Sequence, residues 1–296
     1  MRVTNSMMTR STLRDLSQSL TRLQTTQTKL TTGKEMPTAS SNPTKAGEAL
    51  RLRQQLNRAD HRSRALDDAQ GWLETADTAL TSGLETLARA KEITVRAANT
   101  GSTNDPVARA AMGAEIRSMR SEMLAIANTK YGSRSLFGGT VPGAAYDAAG
   151  TYLGNSASVV RDVAPNTSLT VNVSGQQAFG TAGGAVGDMF QVLDRLATAI
   201  EAGDSAAIAA EHANLDGAVS TMSAATVVIG SRGAAIEQMK ARGQDDLLAL
   251  KSRLNDVEGV DVVEGLIMAK TQENAYTAAL QVAAKIIPQS LLDYLR

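Results

Sequence analysis

The chain has 296 residues, 43% hydrophobic and 3% aromatic, with a formal net charge of zero and no cysteine. That excludes a disulfide framework, a thiolate metal site and a cysteine nucleophile, and leaves Leu, Ala and Val to do the packing, as in long helical bundles. Residues 1–65 carry 12 Lys/Arg against 4 Asp/Glu, yet no aromatic residue precedes Trp72, and nucleic-acid platforms need stacking rings; a basic helix meeting an acidic neighbour is expected instead.

The first predicted helix runs from Met8 to Thr32. Leu13, Leu16, Leu20, Leu23 and Leu30 recur at steps of three, four, three and seven. At 3.6 residues per turn they form one narrow stripe. Gly33 suits a left-handed C′ stop, and Pro37 blocks continuation. The other faces carry Thr9, Thr12, Thr21, Thr25, Thr26 and Thr28 with few charges. Thr is a mediocre helix former, so this helix is expected to need a partner.

After a polar bend at Ser40–Pro43, helical spacing resumes at Ala46 and passes through Leu50, Leu52 and Leu56. From there Leu66, Ala69, Leu73, Ala76, Leu80, Gly83, Leu87, Ala90, Thr94 and Ala97 alternate steps of three and four, a coiled-coil-like seam of ten seats. The run Asn99–Asp105 ends it. Asp105-Pro106 then reads as an N-cap followed by proline at the first helical position, opening a helix that carries Ile116, Met119, Met123, Leu124 and Ile126 and stops near Gly132.

Residues 131–187 change character. Glycines cluster, and Ser168–Val173 alternates polar and apolar residues, the period of a strand. Phe137, Tyr146 and Tyr152 are the candidates for ring packing in this β-rich insert. Helical spacing returns at Met189, Phe190, Leu193, Leu196 and Ile200. A long seam follows through Leu215, Val219, Met222, Thr226, Ile229, Gly233 and Ile236 to Leu247, Leu250, Leu254 and Val257. Near the end, Ala275, Ala278, Ala279, Val282 and Ile286 repeat at helical spacing, and Leu291, Leu292 and Leu295 follow Pro288. Small residues on that face would let it approach the N-terminal leucine stripe. The expected fold is mainly α with a small β-rich insert, either with its two terminal helices paired and the rest looped out between them, or as an ordinary antiparallel bundle with touching ends.

Catalytic patterns are sparse. His61 and His212 lie on separate helical stretches with no His or Cys nearby, so neither begins a zinc motif. There is no P-loop, dinucleotide fingerprint or nucleophile elbow. Asp67-Asp68 and Asp245-Asp246 are adjacent pairs whose carboxylates point to different helix faces. Asn172-Val173-Ser174 fits the short N-glycosylation triplet. No apolar run approaches the roughly 18 residues of a membrane span, and the N-terminus lacks a signal-peptide core. No enzyme activity, cofactor, metal, nucleic-acid binding or membrane insertion is expected.

Several stretches together resemble one family. Leu30-Thr31-Thr32-Gly33-Lys34-Glu35-Met36 followed by Ser41-Asn42-Pro43 and Ala46 is similar to the element that ends the first helix of bacterial flagellins and their hook-associated relatives. Leu73-Glu74-Thr75-Ala76-Asp77-Thr78-Ala79-Leu80 resembles that family's L-x-T-A-x-x-A-L. Ala125–Thr129 with Ser135–Thr140 resembles its A-N-T…Y-L-F-G-G-T hairpin entry, and Ala275–Leu280 with Ser290–Leu295 its Y-x-A-A-L…S-L-L-D-x-L ending. The resemblance covers nearly the whole chain and is weakest between Ala144 and Ala185. Thr44, Lys45 and Asn42 depart from the usual residues at the bend. Met1-Arg2-Val3-Thr4 and the short middle look more like hook-associated protein 3, the hook–filament junction type, than like filament flagellin.

The resemblance implies an elongated, flagellin-like antiparallel bundle with paired terminal coiled-coil helices. Residues 1–42 plus 258–296 would form the inner-tube domain, 43–130 plus 188–257 the next helical domain, and 131–187 an outward-facing insert. It implies an extracellular structural subunit of the bacterial flagellum, exported through the flagellar type III channel and assembled as a ring joining hook to filament. Its partners would be copies of itself, neighbouring hook-associated and flagellin subunits, and an export chaperone on the C-terminal helix. The expected assembly interface is Leu13, Leu16, Leu20, Leu23, Leu30, Gly33, Ala275, Ala278, Val282, Ile286, Leu291, Leu292 and Leu295. A filament-forming flagellin is the alternative; a flagellum-associated hydrolase or an intracellular coiled-coil scaffold is more distant.

Overall fold

The computed structural model describes residues 5–36, 38, 40, 42–99, 105–164, 167–182 and 188–292, without side-chain placement for 5, 6, 9, 164 and 285–292. Met1–Thr4, Pro37, Ser41 and Leu295 lie outside the described residues, as do the side chains of Ile286, Leu291 and Leu292. In chain order the elements are α1 (Asn5–Thr32), α2 (Pro43–Ala98), α3 (Pro106–Ala127), β1 (Lys130–Tyr131), β2 (Arg134–Ser135), β3 (Val160–Ala164), β4 (Thr167–Thr170), α4 (Gly175–Phe179), α5 (Met189–Ala202), α6 (Ser205–Glu258) and α7 (Val262–Leu292). The chain divides into one compact unit of residues 1–58 with 246–296 and another of residues 59–245.

In the unit 59–245, all ten seats of the α2 seam are buried, with Ala69, Leu80, Leu87, Ala90 and Ala97 sealed completely. They share one core with Ile116, Met119 and Met123 of α3, Leu193, Leu196 and Ile200 of α5, and Ile208, Leu215, Met222, Ile229 and Ile236 of α6. The last five recur every seven residues, the spacing that holds one side of a helix against a neighbour. The seats between them are Ala218 and Ala225, which are buried, whereas Val219 and Thr226 are only partly covered. Gly83 is the one seat of the α2 seam without a side chain because Met222 fills it: a Cβ there would meet the Met222 sulfur at 2.8 Å.

The caps follow the sequence. Asp105 caps α3, its carboxylate accepting from the Val107 amide with Pro106 at the first turn, and Asp188 caps α5 in the same way. Ion pairs bind the helices on the outside: Arg117 to Glu201 between α3 and α5, Lys91 to Asp216 at 2.6 Å between α2 and α6, and Arg195 to Glu211 at 2.8 Å. The hydrogen bond from Arg117 holds the Glu201 carboxyl below its ordinary range, and the bond from Lys91 does the same for Asp216.

Strands are few. β1 and β2 form a two-residue hairpin, and β3 pairs antiparallel with β4 through a bulge. Irregular backbone makes up most of the rest of the described residues of 131–187, and side-chain amides brace it. Asn128 receives the Tyr146 amide at 2.9 Å and donates to the Tyr146 carbonyl at 3.0 Å. Asn172 accepts from the Val159 amide at 2.7 Å and donates to the Ala157 carbonyl at 3.0 Å. Asn172 is buried at 5% exposure, so the glycosylation triplet marks a structural amide and not an accessible acceptor. Phe137, Tyr146 and Tyr152 do pack as rings, joined by Phe179 and by Phe190 from α5. Burial raises the Tyr146 hydroxyl far above its ordinary pKa.

The expectation that no stretch is apolar enough to span a membrane needs a correction. One window of α6 meets that length and composition with a mean hydropathy of 1.2. Its Ile208–Ile236 face is nevertheless buried in the core just described.

Candidate assembly interface

In the unit formed by the chain ends, α1 packs on α7. The pairing is antiparallel: an antiparallel bridge joins Lys34 to Gly259, and Leu30 at the end of α1 lies against Gly265 at the start of α7. Along α1 the covered seats are Thr12, Leu16, Ser19, Leu23, Thr26 and Leu30; along α7 they are Gly265, Ala269, Gln272, Tyr276, Ala279 and Ala283. Steps of four and three alternate on both helices. With equal rise, Leu23 falls opposite Gln272 and Leu16 opposite Ala279.

This seam differs from the predicted one. Ala275 and Ala278 are exposed, and Val282 is 56% exposed, so the expected small face of α7 points away from α1. The face used is one position round, where Gly265 admits Leu30: an added Cβ would meet the Leu30 Cδ2 atom at 2.7 Å. On α1 the leucine stripe is split. Leu23 is buried and Leu16 and Leu30 are partly covered, whereas Leu13 is 54% exposed and Leu20 36%. Gly265, Ala269, Gln272, Tyr276 and Ala283 are the residues the sequence reading missed. Their heptad spacing was the available signal, hidden because Gln and Gly do not score as hydrophobic. Gln272 Oε1 is buried with no hydrogen-bond partner among the described residues.

The threonines of α1 have a common geometry. The hydroxyls of Thr12, Thr21, Thr25, Thr26, Thr28, Thr31 and Thr32 each donate to the carbonyl four residues earlier, at 2.7–3.1 Å. Such back-bonding slightly destabilises a helix. It also satisfies every one of these hydroxyls inside the helix, so covering this face would leave no orphaned donor.

The helix ends are locked to one another. Gly33 has φ +67°, and the Lys34 amide donates to the Lys29 carbonyl at 3.2 Å, which is a left-handed Schellman stop. The Glu35 amide donates to the Glu258 carbonyl at 2.8 Å and the Val260 amide to the Gly33 carbonyl at 3.2 Å. Asp261 caps α7, accepting from the Val263 and Glu264 amides at 2.9 and 3.1 Å. Arg53 and Glu258 pair at 2.7 Å.

Outside the seam, α7 exposes Val262, Val263, Leu266, Ile267 and Met268, each at 48% or more, and α1 exposes Met7 and Met8 as well as Leu13. Isolated exposed apolar residues are ordinary, but the run at the start of α7 marks an interaction face, and in the antiparallel pair Met7, Met8 and Leu13 lie at the other end from it. Among the described residues no three His, Cys, Asp or Glu side chains gather at metal-binding distance. His61 is exposed, and His212 stands 4.0 Å from Asp216.

Fold and site together define a helical chain whose first and last helices pair with one another and leave apolar residues exposed. Residues 3–142 match the bacterial flagellin N-terminal helical region. The flagellin of Bacillus subtilis (strain 168) is 25% identical over 311 residues, spanning all of both chains. Two solved structures share the fold. One, from Vibrio parahaemolyticus and assigned as a flagellar hook-associated protein, is 21% identical with a TM-score of 0.68, over 74% of this chain and 100% of that one. The other, the flagellar junction protein FlgL of Legionella pneumophila, is 14% identical with a TM-score of 0.57, over 71% of this chain and 99% of that one. Over residues 3–142 the chain is thus similar to the N-terminal helical region of bacterial flagellins, and along its full length to a flagellin.

Proposed function

We propose that this chain is a structural subunit of the bacterial flagellum that joins hook to filament. The observation that carries the reading is the apolar outer face of the α1–α7 pair. It leaves Leu13, Leu266, Ile267 and Val282 exposed beside threonines whose hydroxyls are already satisfied. A helix pair of this kind is suited to burial among copies of itself. The sequence resemblance to the hook-associated protein 3 type and the fold shared with a flagellar junction protein support the same role. In this reading residues 1–42 with 258–296 line the inner tube, 43–130 with 188–257 form the next shell, and 131–187 face outward. Leu13, Leu20, Ala275, Ala278, Val282, Ile286, Leu291, Leu292 and Leu295 meet neighbouring subunits. The chain leaves the cell through the flagellar export channel, attended by a chaperone on its C-terminal helix, and acts without catalysis.

A filament-forming flagellin is the second reading, favoured by the match to Bacillus subtilis flagellin along the full length of both chains. Electron microscopy separates the two. The purified chain at high concentration should give no long filaments, and cells lacking it should keep their hooks but shed filaments into the medium. Long filaments grown from the chain alone would overturn the junction role in favour of the filament one.

A further inference from the structure

We propose that the pocket beside the Gly33 turn receives the Glu264 carboxylate of a second copy of this chain. The pocket holds about 270 Å³, and Thr32, Lys34, Lys251, Asn255 and Glu258 contribute to its lining. The inference rests on the reading that copies assemble with one another, and it names one contact by which they do so.

The pocket suits an anion. Its two ammonium groups, those of Lys34 and Lys251, have no acidic partner among the described residues. Its one carboxylate, Glu258, is already held by Arg53 at 2.7 Å. Leu248 stands one turn before Lys251 on the same side of α6 and is 69% exposed. Two uncompensated cations beside an exposed leucine fit a carboxylate that is carried among apolar side chains.

The start of α7 carries that complement. Glu264 is exposed and has no cationic partner among the described residues. The ammonium of Lys29, which lines the same side of the helix pair, is bound to Glu35 at 2.5 Å. Val263 precedes Glu264, and Ile267 and Met268 lie one turn on along the same side, at 70%, 64% and 48% exposure. Glu264 is the one acid inside the exposed apolar run Val262–Met268. Covering that run takes its carboxylate out of water, which is costly without a cation; the lysine pocket supplies two. The net charges also oppose. Glu35, Asp261 and Glu264 face Lys29 alone on the acidic side, whereas Lys34 and Lys251 outweigh a Glu258 that Arg53 already neutralises. Both patches adjoin the turn Gly259–Asp261, so copies standing side by side at one level present one to the other. Because the patches are made of different residues, the contact is heterologous. Each copy gives its glutamate to one neighbour and its lysines to the other, an arrangement that closes a ring or runs on as a helix.

The test uses the full chain, whose lack of cysteine makes single-thiol labelling clean. Ile267→Cys and Leu248→Cys proteins, each with the charged residues intact, are mixed with a short bismaleimide. The expected product is a covalent pair of the two variants, formed about tenfold faster than when Ala210→Cys, exposed on α6 outside the pocket, replaces Leu248→Cys, and slowed by added salt. Adding Glu264→Lys to the Ile267→Cys chain should cut the rate about tenfold, and adding Lys34→Glu with Lys251→Glu to the Leu248→Cys chain should then restore it. Restoration by the swapped charges also shows that the variants are folded. Equal cross-linking at Leu248→Cys and Ala210→Cys overturns the proposal, as does a rate that the charge reversals leave unchanged. No product from any pair overturns it as well. In each case the assembly reading is judged separately, by whether cells lacking the chain shed their filaments.

Discussion

Gly33→Val isolates the turn that ends α1. The glycine has φ +67°, and a Cβ at this position would touch nothing within 4 Å, so the cost of a side chain is almost wholly that of the left-handed backbone. For an L-residue this is about 1–2 kcal/mol, and β-branching places valine at or above the upper end. Asn tolerates the conformation and should cost only a few tenths as much. Valine relieves its strain by leaving the left-handed region, which breaks the bond from the Lys34 amide to the Lys29 carbonyl and the bridge between Lys34 and Gly259. The α1–α7 seam has little reserve, since only Leu23, Thr26 and Ala283 of its described apolar and threonine seats reach 9% exposure or less. A loss of about 1.4 kcal/mol lowers the protection of amides that exchange by local opening about tenfold. Hydrogen exchange of the full chain should therefore show α1 and α7 amides exchanging roughly ten times faster in Gly33→Val and near wild type in Gly33→Asn. Amides of residues 66–97 should be unmoved in both. Equal behaviour of Val and Asn would refute the reasoning, because it would mean that no cap geometry is required at residue 33.

Three further outcomes are expected. Leu80→Ala empties a seat that is fully buried and should destabilise the 59–245 unit by about 2–5 kcal/mol in urea unfolding, while exchange of α1 and α7 amides stays as it was; slower or faster exchange there would show the two units to be coupled. Asn172→Ala removes the partner of both the Val159 amide and the Ala157 carbonyl; Val159 is buried and Ala157 exposed, so the cost should be about 1–3 kcal/mol for one orphaned buried amide, and a loss under about 0.5 kcal/mol would mean water replaces the side-chain amide. For pH, the Glu201 and Asp216 carboxyls are held below their ordinary values by Arg117 and Lys91. Their contribution is therefore full above the unfolded carboxylate range near 4 and is lost as pH falls through the lower folded values. The melting temperature should stay level from pH 7 to about 5 and drop below about 4, and Lys91→Met should soften that drop; an unchanged profile in Lys91→Met would remove Asp216 from the account.

Local and periodic features were legible in the sequence. Asp105-Pro106 caps a helix because an acceptor side chain before a proline satisfies the first free amides whatever surrounds it. Gly33 stops α1 because only a residue without Cβ enters the left-handed region freely. The ten-seat seam of α2 is buried in full because alternating steps of three and four leave a long helix one face on which to collapse. The face by which α1 and α7 meet was decided by tertiary structure alone. Hydrophobicity ranks Leu13, Leu20 and Val282 highest, and these are exposed. The pairing instead follows Gly265, Ala269, Ala279 and Ala283, because small residues let two helix axes approach, and it accepts Thr12 and Thr26 because their hydroxyls already bond within the helix. The insert was legible only as strand-like and glycine-rich. Asn128 and Asn172 brace its irregular backbone, and an amide that reaches 13 or 18 residues along the chain leaves no periodic trace, since its partners are fixed by proximity in space and not by spacing in sequence.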